Sequence, residues 1–306
     1  MKRNRIILIV ILVILCAAYI VLRLKRPEEQ QKAVFELNLK QINTIEVFDM
    51  ADTLKMAKIK GVWRLTDPVN WNVDTLRIAS LFKDVLSAKY PKTPMGEGKE
   101  SLKRFKITDA EALHLVVGDE KNTVHVLFSN MGNPYDYFRY AGSDKVYQIK
   151  SKVMTAYSAD LQQWRSPIIV MYAEDELESI EVTHKKNTYT LTRKKYDWYF
   201  KDAKNDFKIP LANLAIMKVV NILANMDTYV FVDGGDKETL DKFKTPDCVV
   251  TVQLTDKTSH ELSFAYMDDK QYLMMVDKDP LVLFMVSTDT VLRFMRHADV
   301  FRTDGY

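Results

Sequence analysis

Apolar and polar residues alternate with period two over 45–48 (IEVF), 53–59 (TLKMAKI) and 62–65 (VWRL). Successive side chains of a strand point to opposite faces, so this alternation predicts half-buried strands. The polar breaks MAD and KG between them predict a three-stranded meander. The period then changes. Leu76, Ile78, Ala79, Leu81, Phe82, Val85 and Leu86 fall along one broad face of a helix. Asp74 stands where a carboxylate caps free helix amides. Beyond the helix, LHLVVG and TVHVLF flank DEKN, and YDYFRYAG and KVYQI flank SD. Breaks this short predict antiparallel neighbours. A closing helix is predicted near 151–163.

The whole pattern is written twice. The stretch from Ile42 aligns with LESIEVTHKKNTYTLTRKKYDWYFKD from Leu177. Ile45, Glu46, Val47, Trp63 and Asp67 recur at one spacing as Ile180, Glu181, Val182, Trp198 and Asp202. The helix at 76–86 faces 214–224, and SLKRFK (101–106) faces TLDKFK (239–244). Ala159, Asp160 and Arg165 match Ala298, Asp299 and Arg302. Pro210 near the second helix suits a first helical turn. CVVTVQLT, SHELSFAY, QYLMMVD and LVLFMVS repeat the later strands, and a closing helix is predicted near 288–298. The expected class is α+β: two tandem repeats, each an antiparallel sheet with one long helix, spanning 42–166 and 174–303. Trp63 recurs with the apolar helix face behind it, so it reads as a core anchor. Trp71 has no aligned counterpart.

The amino terminus changes the picture. Residues 6–22, IILIVILVILCAAYIVL, carry no charge. A membrane helix needs roughly 17–25 such residues, whereas a cleaved signal has an apolar run of roughly 7–15. Cys16 and Ala18 imitate a cleavage site, but the run continues past them, and Leu15 is too large for a lipobox. The expectation is a single-pass anchor within 1–26, followed by a linker over 27–41. Long domains cross the membrane largely regardless of charge, and a short basic tail ahead of a first helix stays inside. The amino terminus is therefore expected inside and the rest outside the cytoplasm.

Charge and cysteine content exclude several function classes. The chain has 44 Lys+Arg and 41 Asp+Glu. Six of the basic residues lie in 1–26, which leaves 38 against 41, a net of −3. A mildly acidic folded part does not carry a nucleic-acid footprint. The two cysteines, Cys16 and Cys248, leave no intrachain disulfide within the soluble part.

Catalytic motifs fail in turn. GxGxxG, GxxxxGK[ST], GxSxG and HExxH are all missing from the sequence. His114 and His125 should meet across the DEKN hairpin, but a metal site needs three or four ligands. The acidic runs 174–178 and 268–269 fall in connections. Aromatics give the one recognition signal: NPYDYFRY places Tyr135, Tyr137 and Arg139 on one strand face, and Tyr and Arg are favoured in recognition surfaces. With Trp71, these form the candidate partner or ligand surface. No catalytic residue, metal or cofactor is expected.

Trp63, Leu65, Pro68 and Val69 form W-x-L-x-x-P-V ahead of a polar spacer and a leucine-rich helix. With the IxxIEV strand from Ile42 to Val47 and a later strand carrying Leu102 and Phe105, this resembles domain-of-unknown-function family 4340. The resemblance covers 36–165, with a weaker second copy over 177–302. The family's Gly-Leu-Asp-x-Pro stretch is altered here to Lys106–Asp109 and Lys244–Asp247. The resemblance implies a protein anchored at the bacterial cytoplasmic membrane, an auxiliary component of gliding-motility-type ABC transport systems. The function expected is a non-enzymatic extracytoplasmic accessory with a membrane or envelope protein partner and membrane lipid around 6–22. The alternative is an envelope module binding glycan or lipid.

Overall fold

A computed structural model describes residues 31–129, 131, 135–149, 152, 154–185, 187–228 and 230–303, together with 12, 14–16 and 19. The expected anchor lies outside the described residues except for Leu12, Ile14, Leu15, Cys16 and Tyr19, which are helical and exposed. Among the described residues no helix is long and apolar enough to cross a membrane. The chain divides into two compact units, one ending at Trp164 and one beginning at Arg165.

In the first unit the meander forms as the alternation predicts. β1 (Gln31–Ala33) precedes β2 (Thr44–Phe48), β3 (Thr53–Ile59), β4 (Val62–Asp67) and the short β5 (Trp71–Asn72). The β3–β4 connection is the two-residue loop Lys60–Gly61, both at positive φ, the conformation that matches the strand twist. Then α1 (Thr75–Ser80) begins under its Asp74 cap, whose side chain accepts from the Leu76 and Arg77 amides. It continues as a wider π-helical segment, Leu81–Leu86. β6 (Lys89–Pro91), β7 (Gly96–Glu97) and α2 (Lys99–Arg104) lead into β8 (Leu113–Gly118), β9 (Thr123–Phe128), β10 (Asp136–Tyr140) and β11 (Lys145–Ile149).

Nine of these strands make one antiparallel sheet in the order β5-β4-β3-β2-β8-β9-β10-β11-β7, and β1 pairs with β6. β2 pairs with β8 from Thr44 opposite Gly118 to Phe48 opposite His114, which joins the meander to the later hairpins. Period two then sends Ile45, Val47, Leu54, Met56, Leu65, Leu115, Val117, Val126, Phe128 and Phe138 to one face. There they pack with Ile78, Leu81 and Val85 of the helical segment in one buried cluster. The opposite face carries a smaller cluster of Phe105, Ile107, Ala112, Leu127 and Val146.

The second unit follows the same plan. β12 (Ile168–Val170), β13 (Leu177–His184), β14 (Asn187–Lys194), β15 (Asp197–Asp202) and β16 (Asp206–Lys208) precede α3 (Leu214–Ala224). β17 (Met226–Asp227), β18 (Phe231–Asp233) and α4 (Lys237–Asp241) follow. The unit ends with β19 (Cys248–Leu254), β20 (Ser259–Tyr266), β21 (Gln271–Val276), β22 (Val282–Ser287), α5 (Thr288–Phe294) and α6 (Ala298–Arg302). Its sheet order, β16-β15-β14-β13-β19-β20-β21-β22-β18, with β12 on β17, matches the first unit strand for strand. Two α+β units with large antiparallel sheets and a repeated strand order are thus established.

Three local expectations need correction. Residues near 151–163 form two 3-10 turns, Met154–Ala156 and Leu161–Gln163, rather than a closing helix. The Asp160 side chain caps the second turn through the Gln162 amide, so capping chemistry is present without a sustained apolar period. Pro210 does not open α3: Asn213 caps it, and Pro210 lies three residues earlier in the approach. Leu102 and Phe105 are not on a strand. Leu102 lies on α2, and Phe105 caps that helix's end and packs on the outer face.

Candidate functional site

The four residues proposed for a recognition surface do not meet. Trp71 pairs with Leu65, which is fully buried, so its indole points to the covered face and packs on the core. Tyr137 and Arg139 lie on the opposite face of β10. Six strand spacings separate β5 from β10, roughly 30 Å along the sheet. Tyr137 packs against Phe105 with ring centroids 4.7 Å apart, leaving Tyr135 as the exposed member at the strand entry.

Arg139 is 3% exposed and is occupied internally. Its Nε donates to the Ile107 carbonyl at 2.8 Å, Nη1 to the Ser143 carbonyl at 3.2 Å, and Nη2 to the Asp109 carboxylate at 2.5 Å. It therefore fastens the 105–112 segment onto the sheet. Beside it the expected histidine contact forms: His114 Nδ1 and His125 Nε2 are 3.0 Å apart. His114 Nε2 lies 2.8 Å from the Asp109 carbonyl. A carbonyl only accepts, so His114 donates there from Nε2, its Nδ1 accepts, and His125 donates from Nε2. Phe48 stacks on His114 at 4.3 Å. The His125 pKa lies below the ordinary histidine value, first because of burial and then because of His114 and the Arg139 guanidinium. Asp109 opposes that shift. Among the described residues no group of three or more His, Cys, Asp or Glu is placed to hold a metal ion. The inner faces of this pair are already committed to each other and to the backbone.

The second unit carries Val249, Glu261 and Met275 at the positions where the first carries His114, His125 and Arg139, as the matching registers show. Cys248 sits in β19 opposite His184, and burial pushes its thiol up to about 12. A thiol held protonated at neutral pH is not a nucleophile.

One concavity escaped the sequence reading. The second unit has a cavity of about 280 Å³ beside α3, lined by Trp198, Ile209, Pro210, Leu211, Ile216, Met217 and Val220. Tyr196, Glu174 and Asn221 stand around it. The matching burial patterns pair Ile78 with Ile216, Leu81 with Val219, Phe82 with Val220 and Val85 with Leu223. In the first unit the Phe82 ring packs on Trp63, with centroids 5.8 Å apart. In the second, Trp198 meets the smaller Val220, and two extra residues lengthen the approach to the helix. Val73 and Ile209 anchor that approach equivalently, donating to the Trp63 and Trp198 carbonyls. The same pairing corrects the standing of Trp71: its register opposite Leu65 is that of Phe207 opposite Phe200, so the position is aromatic in both units. Aligned identities pointed to Trp198; the Phe82-to-Val220 difference was the signal for the cavity.

The architecture is thus that of an antiparallel α+β protein with a repeated nine-strand order, whose best-placed polar groups hold its own segments together. The chain belongs to the family described as domain of unknown function (DUF4340), whose model matches residues 63–246. The match begins at Trp63 inside the first sheet and continues into the second unit, ending at Pro246 ahead of β19. No curated protein matches the sequence.

Proposed function

We propose that this chain is a membrane-tethered, non-enzymatic accessory protein. Its amino-terminal anchor holds two duplicated sheet units outside the cytoplasm, where they engage an ABC-type transporter or another envelope complex. The observation that carries the reading is the joining of the uncharged apolar run 6–22 to two units of identical strand order. Such an arrangement presents surface rather than a reaction centre. Membership of the DUF4340 family supports it, through the resemblance to anchored auxiliary proteins of gliding-motility-type transport systems. The commitments of Arg139, His114 and Cys248 support the non-enzymatic part, since each is occupied by the fold or held inert. Each unit is one copy of a duplicated element.

Purification of the full-length chain from native membranes after mild cross-linking tests this. A transporter ATPase and permease should accompany it in fixed proportion. Recovery of neither, above what an unrelated anchored protein brings down, would remove the transporter assignment.

A second reading, an envelope module that binds glycan or lipid, is favoured by the cavity at Trp198, which is lined by both apolar and polar side chains. Saturable binding of a soluble glycan or a lipid by the full-length chain would support it.

A further inference from the structure

We infer that the cavity beside α3 is a receptor for one aromatic side chain that a partner polypeptide carries next to a positive charge. This gives chemistry to the accessory reading and rests on it for its setting. The cavity itself lies within one unit and can be tested alone.

The first unit shows what fits. There Trp63 on the strand and Phe82 on the helix pack ring to ring. The second unit keeps the tryptophan, 6% exposed, keeps the helix, and puts Val220 where the ring would be. Replacing phenylalanine by valine removes several carbons and leaves surrounding atoms without partners, which is how a cavity able to accept a ring arises. Ile209, Pro210, Ile216 and Met217 supply apolar walls, Glu174, Tyr196 and Asn221 add polar groups to the lining, and Met adapts its shape to a guest. At about 280 Å³ the cavity suits one side chain and falls at the small end of sites for whole ligands.

Surface around the cavity argues for a polypeptide source. Tyr196 is 85% exposed, Leu211 77% and Met217 48%, so apolar area continues beyond what one ring covers. Interfaces concentrate their energy in such a buried aromatic anchor with a surround that excludes water. Charge sets the flanking residue. Glu174 stands at the cavity, exposed, and its carboxylate has no hydrogen-bond or ion-pair partner among the described residues. Asp175 and Glu176 follow it. An aromatic residue beside Lys or Arg meets a free carboxylate there, whereas one beside Asp or Glu meets repulsion.

The test uses the full-length chain labelled with 5-fluorotryptophan, whose four tryptophans give four fluorine resonances. The Trp198 signal is assigned by its loss in Trp198→Phe. Titration with acetyl-Lys-Phe-Lys-amide should shift the Trp198 resonance saturably and leave those of Trp63, Trp71 and Trp164 in place. Acetyl-Glu-Phe-Glu-amide should bind roughly five- to tenfold more weakly. Val220→Phe should fill the cavity from within and abolish the shift, with the other three resonances unmoved as the sign of an intact fold. Glu174→Gln, at an exposed position, should bring the two peptides to within about twofold. An unmoved Trp198 signal, a shift that persists in Val220→Phe, or equal affinities for the two peptides would overturn the proposal. So would binding of free 2-phenylethylammonium as tight as that of the lysine peptide, because the source would then be a small aromatic amine. Failure here leaves transporter recovery from membranes untouched, so the two readings fail separately.

Discussion

At the scale of single residues, what a side chain is bonded to decides its role more than its type does. Arg139 reads in sequence as a recognition residue, and in the fold its donors go to three backbone carbonyls, those of Ile107, Tyr140 and Ser143, and one carboxylate. Asp109 is 84% exposed, so that ion pair contributes little by itself; the carbonyl bonds made by a buried guanidinium dominate. Arg139→Met is therefore expected to cost about 2–4 kcal/mol in urea unfolding, and Asp109→Asn less than about 1 kcal/mol. Tyr135→Ala, at a 42% exposed position, should change stability by no more than about 0.5 kcal/mol. The histidines give a pH dependence. Burial holds His125 and His184 below the ordinary histidine value in the folded chain. As pH falls below about 6.5 the unfolded chain gains protons that the native chain refuses, so stability drops on acidification. The melting temperature should fall between pH 7.5 and 5, and His125→Gln should make that fall shallower. A profile unchanged by the substitution would contradict the assignment.

At the scale of elements, the sequence carried the strands well because period two is a local signal. Both meanders and the paired hairpins lie where the alternation put them. Sheet order was not local. The pairing of β2 with β8 and of β13 with β19 closes each sheet across a long excursion, and no short-range pattern encodes it. The closing helix of the first unit was misread because Met154–Ala156 and Leu161–Gln163 are separate short turns, the second capped by Asp160, rather than one sustained helical face. The Trp198 cavity was invisible because an alignment counts what two copies share, and the cavity comes from what they do not: Val220 for Phe82. Caps give the sharpest test at this scale. Asp74 caps α1 through two amides. Asn213 does the same for α3, and its Nδ2 also reaches the Val300 carbonyl at 2.9 Å and the Thr303 carbonyl at 2.5 Å. Asn213 is wholly buried and ties the helix to the end of its unit. Asp74→Ala should cost about 1 kcal/mol, and Asn213→Ala about 2–3 kcal/mol, measured by chemical unfolding. Equal costs would mean that the Asn213 links to 300 and 303 contribute nothing.

At the scale of the whole molecule, an apolar amino-terminal run precedes two units built on one strand order. Each sheet ends in short strands, β5 and β7 in one and β16 and β18 in the other, which limits edge-to-edge pairing with other chains. Recognition then falls to side chains, and the Trp198 cavity leaves room for one. The envelope reading requires both units on the outer side of the membrane. Reporter fusions at Tyr306 measure that directly. A phosphatase that folds only outside the cytoplasm should be active there, and a fluorescent protein that matures only inside should be dark. The reverse pattern, dark phosphatase and bright fluorescence, would contradict the account.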